Sequence, residues 1–150
     1  MSLMNDLRAG AFFQDLPDSC LEKIGGLCEE ETYQNQDIVF EEGAPAEKIY
    51  ILRKGAVALQ VRLSKYQEII ISTLEEQGAL FGWSALVEPK KYTATVKCLK
   101  ETKVFSLSAD KLEQLFKDDP LMGFVFMKRI ASLIDNRLSS MRNRLISSIS

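Results

Sequence analysis

The order of apolar and polar positions divides the chain into three stretches. Near the start, Leu21, Ile24 and Leu27 recur at helical spacing behind Asp18 and Ser19, either of which suits an N-cap. Gly25-Gly26 weakens the end of that predicted helix. From about Thr32 the period shortens. Tyr33, Ile38 and Phe40 fall in short extended pieces, which Glu42-Gly43-Ala44-Pro45 interrupts. Residues 48–53 read as a strand, followed by a turn at Lys54-Gly55. Val57, Leu59, Val61 and Leu63 then alternate with Ala58, Gln60 and Arg62, the pattern of a half-buried strand. Ser64-Lys65 marks a hairpin tip before a strand over 68–74, and Gly78 marks another turn. Two further strands are predicted over 93–98 and 102–107. Helical spacing returns with Leu112, Leu115 and Phe116, where Ser108 is the cap and Asp110 lies in the first turn. Asp118-Asp119-Pro120 ends that helix and opens another that only Gly123 weakens.

Short strands at regular spacing between helices predict a mainly β fold with flanking helices, a β-barrel or jelly-roll. Residues 1–119 would hold short N-terminal helices, the β-roll and a short helix. Residues 120–150 would be a long helix of the same domain. In that helix Phe124, Met127, Ala131, Ile134, Leu138, Met141 and Leu145 follow a 3,4 alternation, the seam of a coiled coil. The seam continues past Leu138, so a parallel homodimer is expected in preference to a helix packed only in cis. Ile130 and Leu133 lie off the seam and would hold the helix against the barrel. Arg137, Arg142 and Arg144 make a basic end opposed only by Asp135, which a solvated coiled-coil flank explains equally well.

Composition narrows the chemistry. Nineteen basic and 21 acidic residues give a net charge of −2, too little to draw nucleic acid or anionic lipid. No run of apolar residues approaches the roughly 18 a membrane helix needs. The opening Met1-Ser2-Leu3 before Met4 carries no signal-peptide pattern; it fits a cloning remnant as well as a native start. The chain has no histidine, which removes His-based nucleophile systems and His-held metal or haem. Cys20, Cys28 and Cys98 lack metal-ligand spacing and read as reduced, buried thiols of a cytoplasmic protein. Glu75-Glu76 and Asp118-Asp119 read as capping or solvated surface. No enzyme, cofactor or metal site is expected.

One region carries a resemblance. The segment Gly78-Ala79-Leu80-Phe81-Gly82-Trp83-Ser84-Ala85-Leu86, followed by Thr93-Ala94-Thr95-Val96, resembles the phosphate-binding cassette of cyclic nucleotide-binding domains, including the effector domain of CRP/FNR-type regulators. Phe13-Gln14-Asp15-Leu16, the segment Asp37-Ile38-Val39-Phe40-Glu41-Glu42-Gly43 and the segment Tyr50-Ile51-Leu52-Arg53-Lys54-Gly55-Ala56-Val57 resemble other family motifs in the same order. The resemblance implies a double-stranded β-helix followed by a C-terminal dimerisation helix. It also implies a candidate ligand cassette of Phe81, Gly82, Trp83, Ser84, Ala85, Tyr92 and Thr93, where backbone N–H groups of residues 82–85 would face a phosphate. Asn136 and Arg137 would lie where the family's helix reaches toward a bound base.

Two family side chains are missing. Trp83 stands where the family has a ribose-binding Glu, and Tyr92 stands where it has a phosphate-binding Arg. Phe81 and Tyr92 are eleven residues apart, as in the family pattern, so no gap restores the alignment. Losing two charge-assisted contacts of about 1.5–3 kcal/mol each weakens binding by orders of magnitude. Lys90 shares strand parity with Tyr92 and is a candidate substitute cation, but it lacks the bidentate fork of arginine. Two solvated loop lysines, Lys90 and Lys91, are the plainer reading.

Three readings of the cassette follow: a vestigial pocket plugged by two rings, an altered pocket for a different, less charged or aromatic ligand, or weak cyclic-nucleotide binding through backbone N–H groups. The expected role is a small-molecule-sensing regulatory domain. The alternatives are a ligand-free interaction and dimerisation module, or the effector part of a longer transcription regulator. CRP/FNR regulators usually carry a helix-turn-helix after the dimer helix, and no such segment follows here. Direct nucleic-acid binding by this chain is therefore not expected. The stretch Ile146-Ser147-Ser148-Ile149-Ser150 reads as a fraying terminus.

Overall fold

A computed structural model describes residues 3–149; Met1, Ser2 and Ser150, parts of the leader and terminus discussed above, lie outside the described residues. Short helix α1 (Leu3–Arg8), a 3-10 turn (Ala11–Phe13) and α2 (Asp18–Gly25) precede eight strands. These are β1 (Glu29–Tyr33), β2 (Ile38–Phe40), β3 (Lys48–Lys54), β4 (Val57–Ser64), β5 (Gln67–Leu74), β6 (Leu80–Phe81), β7 (Thr95–Cys98) and β8 (Thr102–Ser108). A second 3-10 turn (Trp83–Leu86) separates β6 from β7, and α3 (Ala109–Asp118) and α4 (Pro120–Ile149) close the chain. The strands form two antiparallel four-stranded sheets, ordered β1-β8-β3-β6 and β2-β7-β4-β5. The fold is mainly β with flanking helices and a long last helix, as the strand spacing and the resemblance predicted.

The sheet containing β3 is covered on both faces, which is why β3 reads as the unbroken apolar run Ile49-Tyr50-Ile51-Leu52 instead of alternating. Ile49 and Ile51 face the helices, in a core with Leu7, Leu21, Ile24, Phe105 and Phe126. Tyr50 and Leu52 face the other sheet, in a second core with Val57, Phe81, Val96 and Val104. The alternation expected of β4 is not seen: Val57 and Ala58 are both buried, and exposure rises steadily along the strand. Leu63 is 60% exposed, because β7 pairs with β4 only over residues 57–60 and the rest of β4 continues with β5 alone as a hairpin arm. The hairpin turn sits at Lys65-Tyr66, one residue later than predicted.

Helix boundaries differ from expectation by small, physical amounts. Pro17 occupies the N-cap of α2, so Asp18 is its first residue, where a carboxylate still complements the helix dipole. Ser108 caps α3 as expected, its hydroxyl accepting from the Lys111 N–H at 3.3 Å. Asp119 does the same for α4, accepting from Met122 N–H at 3.2 Å. Gly123 does not weaken α4. It is buried where a Cβ would come within 2.8 Å of Phe116 Cβ, so it sets how closely α3 approaches.

Two faces of α4 have different fates. Phe126, Ile130 and Leu133 pack on the barrel-side core. One and three turns further on, that face carries Arg137, whose Nη2 donates to the Leu80 carbonyl at 2.6 Å, and Arg144, whose Nη1 donates to the Ile71 carbonyl at 2.7 Å. On the other face Phe124, Ala131, Ile134, Leu138, Met141 and Leu145 are exposed. Met127 is the exception among the seam positions, since it is half-buried against the core. Cys98 is fully buried, whereas Cys20 and Cys28 are half-buried.

Candidate functional site

β6 ends at Phe81, and the chain must then turn sharply to start the 3-10 turn. Gly82 makes that turn with φ of +83°, a left-handed conformation that glycine adopts without steric cost. A Cβ here would also sit 3.3 Å from both the Lys48 carbonyl and the Tyr50 ring. Within the turn, Ala85 N–H donates back to the Gly82 carbonyl at 3.2 Å. The first N–H groups, those of Trp83 and Ser84, precede any partner inside the turn.

The candidate residues are distributed as follows. Phe81, Gly82, Trp83, Ser84, Tyr92, Thr93 and Arg137 line one small cavity, together with Phe40, Leu59 and Ala94. Ala85 is fully buried in the helix-side core and does not line it. Lys90 does not line it either. Its ammonium lies 3.2 Å from Glu113 on α3, so the substitute cation considered from strand parity points away from the cassette. That pairing raises the Lys90 pKa. The reason is local: Lys90 adopts φ of +57°, which breaks the strand alternation that had placed it beside Tyr92.

Tyr92 is held from three sides. Its ring stacks on Phe40 with centroids 3.6 Å apart and planes 11° from parallel. Its hydroxyl donates to the Lys48 carbonyl at 2.7 Å and accepts from the Lys48 N–H at 3.3 Å. Its own backbone pairs with Ala44 and Gly43. Burial raises the phenol's pKa, so the hydroxyl remains a donor through the neutral range. Phe40, which the sequence placed only in a short extended piece, is thus the platform that fixes this position.

Arg137 supplies the cation beside the cavity. Its guanidinium carbon lies 4.6 Å from the centroid of the Trp83 ring, an arrangement favoured by the ring's quadrupole. Nη2 is spent on Leu80, while Nη1 is buried with no hydrogen-bond partner among the described residues. Burial lowers the Arg137 pKa to about 10, which leaves it charged at neutral pH. The space left between these groups is about 30 Å³, near the volume of one water molecule. Pockets for small organic ligands run to about 300–1,000 Å³.

A β-roll with a glycine-led 3-10 turn, and a long helix reaching back over that turn, defines a class. Residues 30–119 match the family model of the cyclic nucleotide-binding domain, and the chain belongs to that family. It is related to regulators of the CRP/FNR type. It is 31% identical over 106 residues to the global nitrogen regulator of Nostoc sp., covering 69% of this chain and 47% of that protein. The chain thus spans about half the length of that curated relative. A solved structure described as a cyclic nucleotide-binding protein, from Geobacter metallireducens, is 27% identical. It superposes with a TM-score of 0.76 over 92% of this chain and 99% of that one. A cyclic nucleotide-binding domain from Methylobacillus flagellatus, 17% identical with a TM-score of 0.83 over 97% of this chain and 82% of that one, shares the fold.

Proposed function

We propose that this chain is a regulatory domain that senses a small effector and does not take a cyclic nucleotide in the family's usual mode. The observation that carries the reading is the hydroxyl of Tyr92, bonded to both backbone groups of Lys48 at the family's phosphate-binding position. A side chain committed in this way offers a phosphate no donor. The indole of Trp83 likewise offers a ribose no carboxylate. The effector is therefore a different small molecule, and Arg137 is the charge available to it.

Effector binding would act through α4, because Arg137 joins that helix to both Trp83 and Leu80. A ligand moves this joint only as far as its affinity differs between two helix positions. The domain of residues 1–119 and the helix of 120–150 would work as one unit, as a homodimer along the exposed apolar face of α4. The chain would be non-enzymatic, cytoplasmic and without direct contact to nucleic acid. No described helix is long and apolar enough to cross a membrane. The second reading, an interaction module with a closed cassette, draws on the cavity of only about 30 Å³.

The test is a thermal-shift titration of the whole chain with cAMP and cGMP to about 1 mM, beside the double variant Trp83→Glu/Tyr92→Arg. A ligand at 100 times its dissociation constant stabilises by about 2.7 kcal/mol, or roughly 5–10 °C for a domain of this size. The wild type should not shift. The double variant should gain affinity of roughly 10²–10⁴-fold, from two restored charge-assisted contacts. A wild-type dissociation constant in the micromolar range would overturn the proposal.

A further inference from the structure

We infer that the cleft between the N-terminal 3-10 turn, the β5–β6 connection and α4 is a second small-molecule site, one that takes a compact zwitterion with an apolar body, an amino acid or dipeptide. This site lies beside the cassette and shares only Arg137 with it.

The cleft has a volume of about 560 Å³, well within the range of small-molecule pockets, whereas the cassette cavity holds about 30 Å³. Its walls come from three places in the chain: residues 10–12, residues 73–80, and Leu133 with Arg137. The junction of the first two walls is tightly packed. Gly10 and Gly78 touch so closely that a Cβ on Gly78 would lie 2.4 Å from Gly10 Cα. Gly78 N–H donates to the Leu52 carbonyl at 2.7 Å, and Leu52 N–H donates to the Ala79 carbonyl at 2.8 Å, so the connection is fixed to the barrel. Arg129 of α4 donates to the Phe12 carbonyl at 3.1 Å and fixes the opposite wall. The cleft is therefore preformed, which removes much of the ordering cost of binding.

The lining selects the ligand. Phe12, Leu74 and Leu133 provide apolar surface, Glu75 and Glu76 provide negative charge, and Arg137 provides positive charge. A purely anionic ligand would meet two carboxylates. A purely cationic one would meet the charged guanidinium of Arg137. A molecule with an ammonium and a carboxylate on an apolar body matches all three. Arg137 also lines the cassette cavity, so one residue is shared by the two spaces. A carboxylate that draws on the charge of this guanidinium would disturb its contact with Trp83, and the cleft would be felt at the cassette.

The test uses the whole chain with L-leucine, L-phenylalanine and leucyl-leucine, followed by the fluorescence of Trp83, the single tryptophan, and by backbone amide NMR shifts. Leucinamide, which lacks the carboxylate, and N-acetyl-leucine, which lacks the ammonium, are the controls. The expected result is a saturable change with at least one of the zwitterions, with both capped controls weaker by about tenfold or more. The amide shifts should centre on Gly10, Gly78 and Arg137. Ala11→Phe, on the exposed 3-10 turn, should abolish the response by filling the cleft. Should that variant fold poorly, the shift map of the wild type decides. No saturable change up to about 10 mM would overturn the inference. So would capped controls that bind as well as the zwitterions, or shifts centred on residues 82–85. Because cyclic nucleotides are titrated separately, failure here and failure of the cassette reading are distinguishable.

Discussion

Replacing Tyr92 with Phe removes one oxygen from the wall of the cassette cavity. The ring stays, and with it the stack on Phe40 at 3.6 Å. What goes is the hydroxyl that bonds the Lys48 carbonyl at 2.7 Å and the Lys48 N–H at 3.3 Å. Tyr92 is only 6% exposed, so water does not readily replace the lost partner. Leaving buried backbone groups short of a hydrogen bond costs about 1–2 kcal/mol. For a domain of this length each kcal/mol moves the melting temperature by roughly 2–4 °C, so the expected loss is about 2–8 °C. Calorimetry or a circular dichroism melt measures it, with urea unfolding to check that the slope, and so the folded state, is unchanged. The core of the cassette should otherwise be intact, and Trp83 fluorescence should stay as in the wild type. A melting temperature equal to or above that of the wild type would refute the reasoning. It would mean that the hydroxyl is not committed to Lys48, and the argument that Tyr92 cannot serve a phosphate would fall with it.

Two further predictions concern the rest of the molecule. Burial raises the Cys28 thiol from 9.0 to about 12, and also lifts the Cys98 thiol and the phenols of Tyr33, Tyr50 and Tyr92. The native state then keeps protons that the unfolded chain loses, so stability is full below about pH 9 and falls as pH rises beyond it. The urea midpoint should decline from about pH 9 upward, less steeply in Cys28→Ala; a flat midpoint to about pH 10.5 would contradict this. On α4, Leu138 is 63% exposed in the middle of the seam, so Leu138→Glu should convert a dimer into a monomer in sedimentation while leaving the barrel folded. A wild-type chain that sediments as a monomer at about 100 μM would refute the seam as an interface.

Much of the architecture was legible because its signals are local. The glycines at positions 55, 78 and 82 all adopt positive φ, and each sits at a corner the sequence had marked as a turn or as part of the cassette. Ser108 and Asp119 cap helices by contacts three residues long, which spacing alone can suggest. The two faces of α4 were also separable, since Ile130 and Leu133 fall off the 3,4 seam and do pack on the barrel. The failures are long-range. Lys90 was placed by strand parity, but the chain there is not strand, and its partner Glu113 lies 23 residues away on a helix. Phe40 and Tyr92 stack across 52 positions of sequence, and no pattern in either neighbourhood announces the pair. The cleft was invisible for the same reason. Its three walls are distant in sequence, and the pair that joins two of them, Gly10 and Gly78, has no side chains to form a motif.

Arg137 and Arg144 both seek main-chain carbonyls, those of Leu80 and Ile71, and this places the two halves of the latch under unequal inheritance. Every amino acid presents a carbonyl, so side-chain substitutions in β5 or β6 that preserve the strand path leave the receiving half in place. The donating half depends on two codons. Drift in the barrel can therefore reshape a pocket without breaking these two bonds, whereas a change at Arg144 retunes how firmly the helix is held, and a change at Arg137 also removes the cation over Trp83.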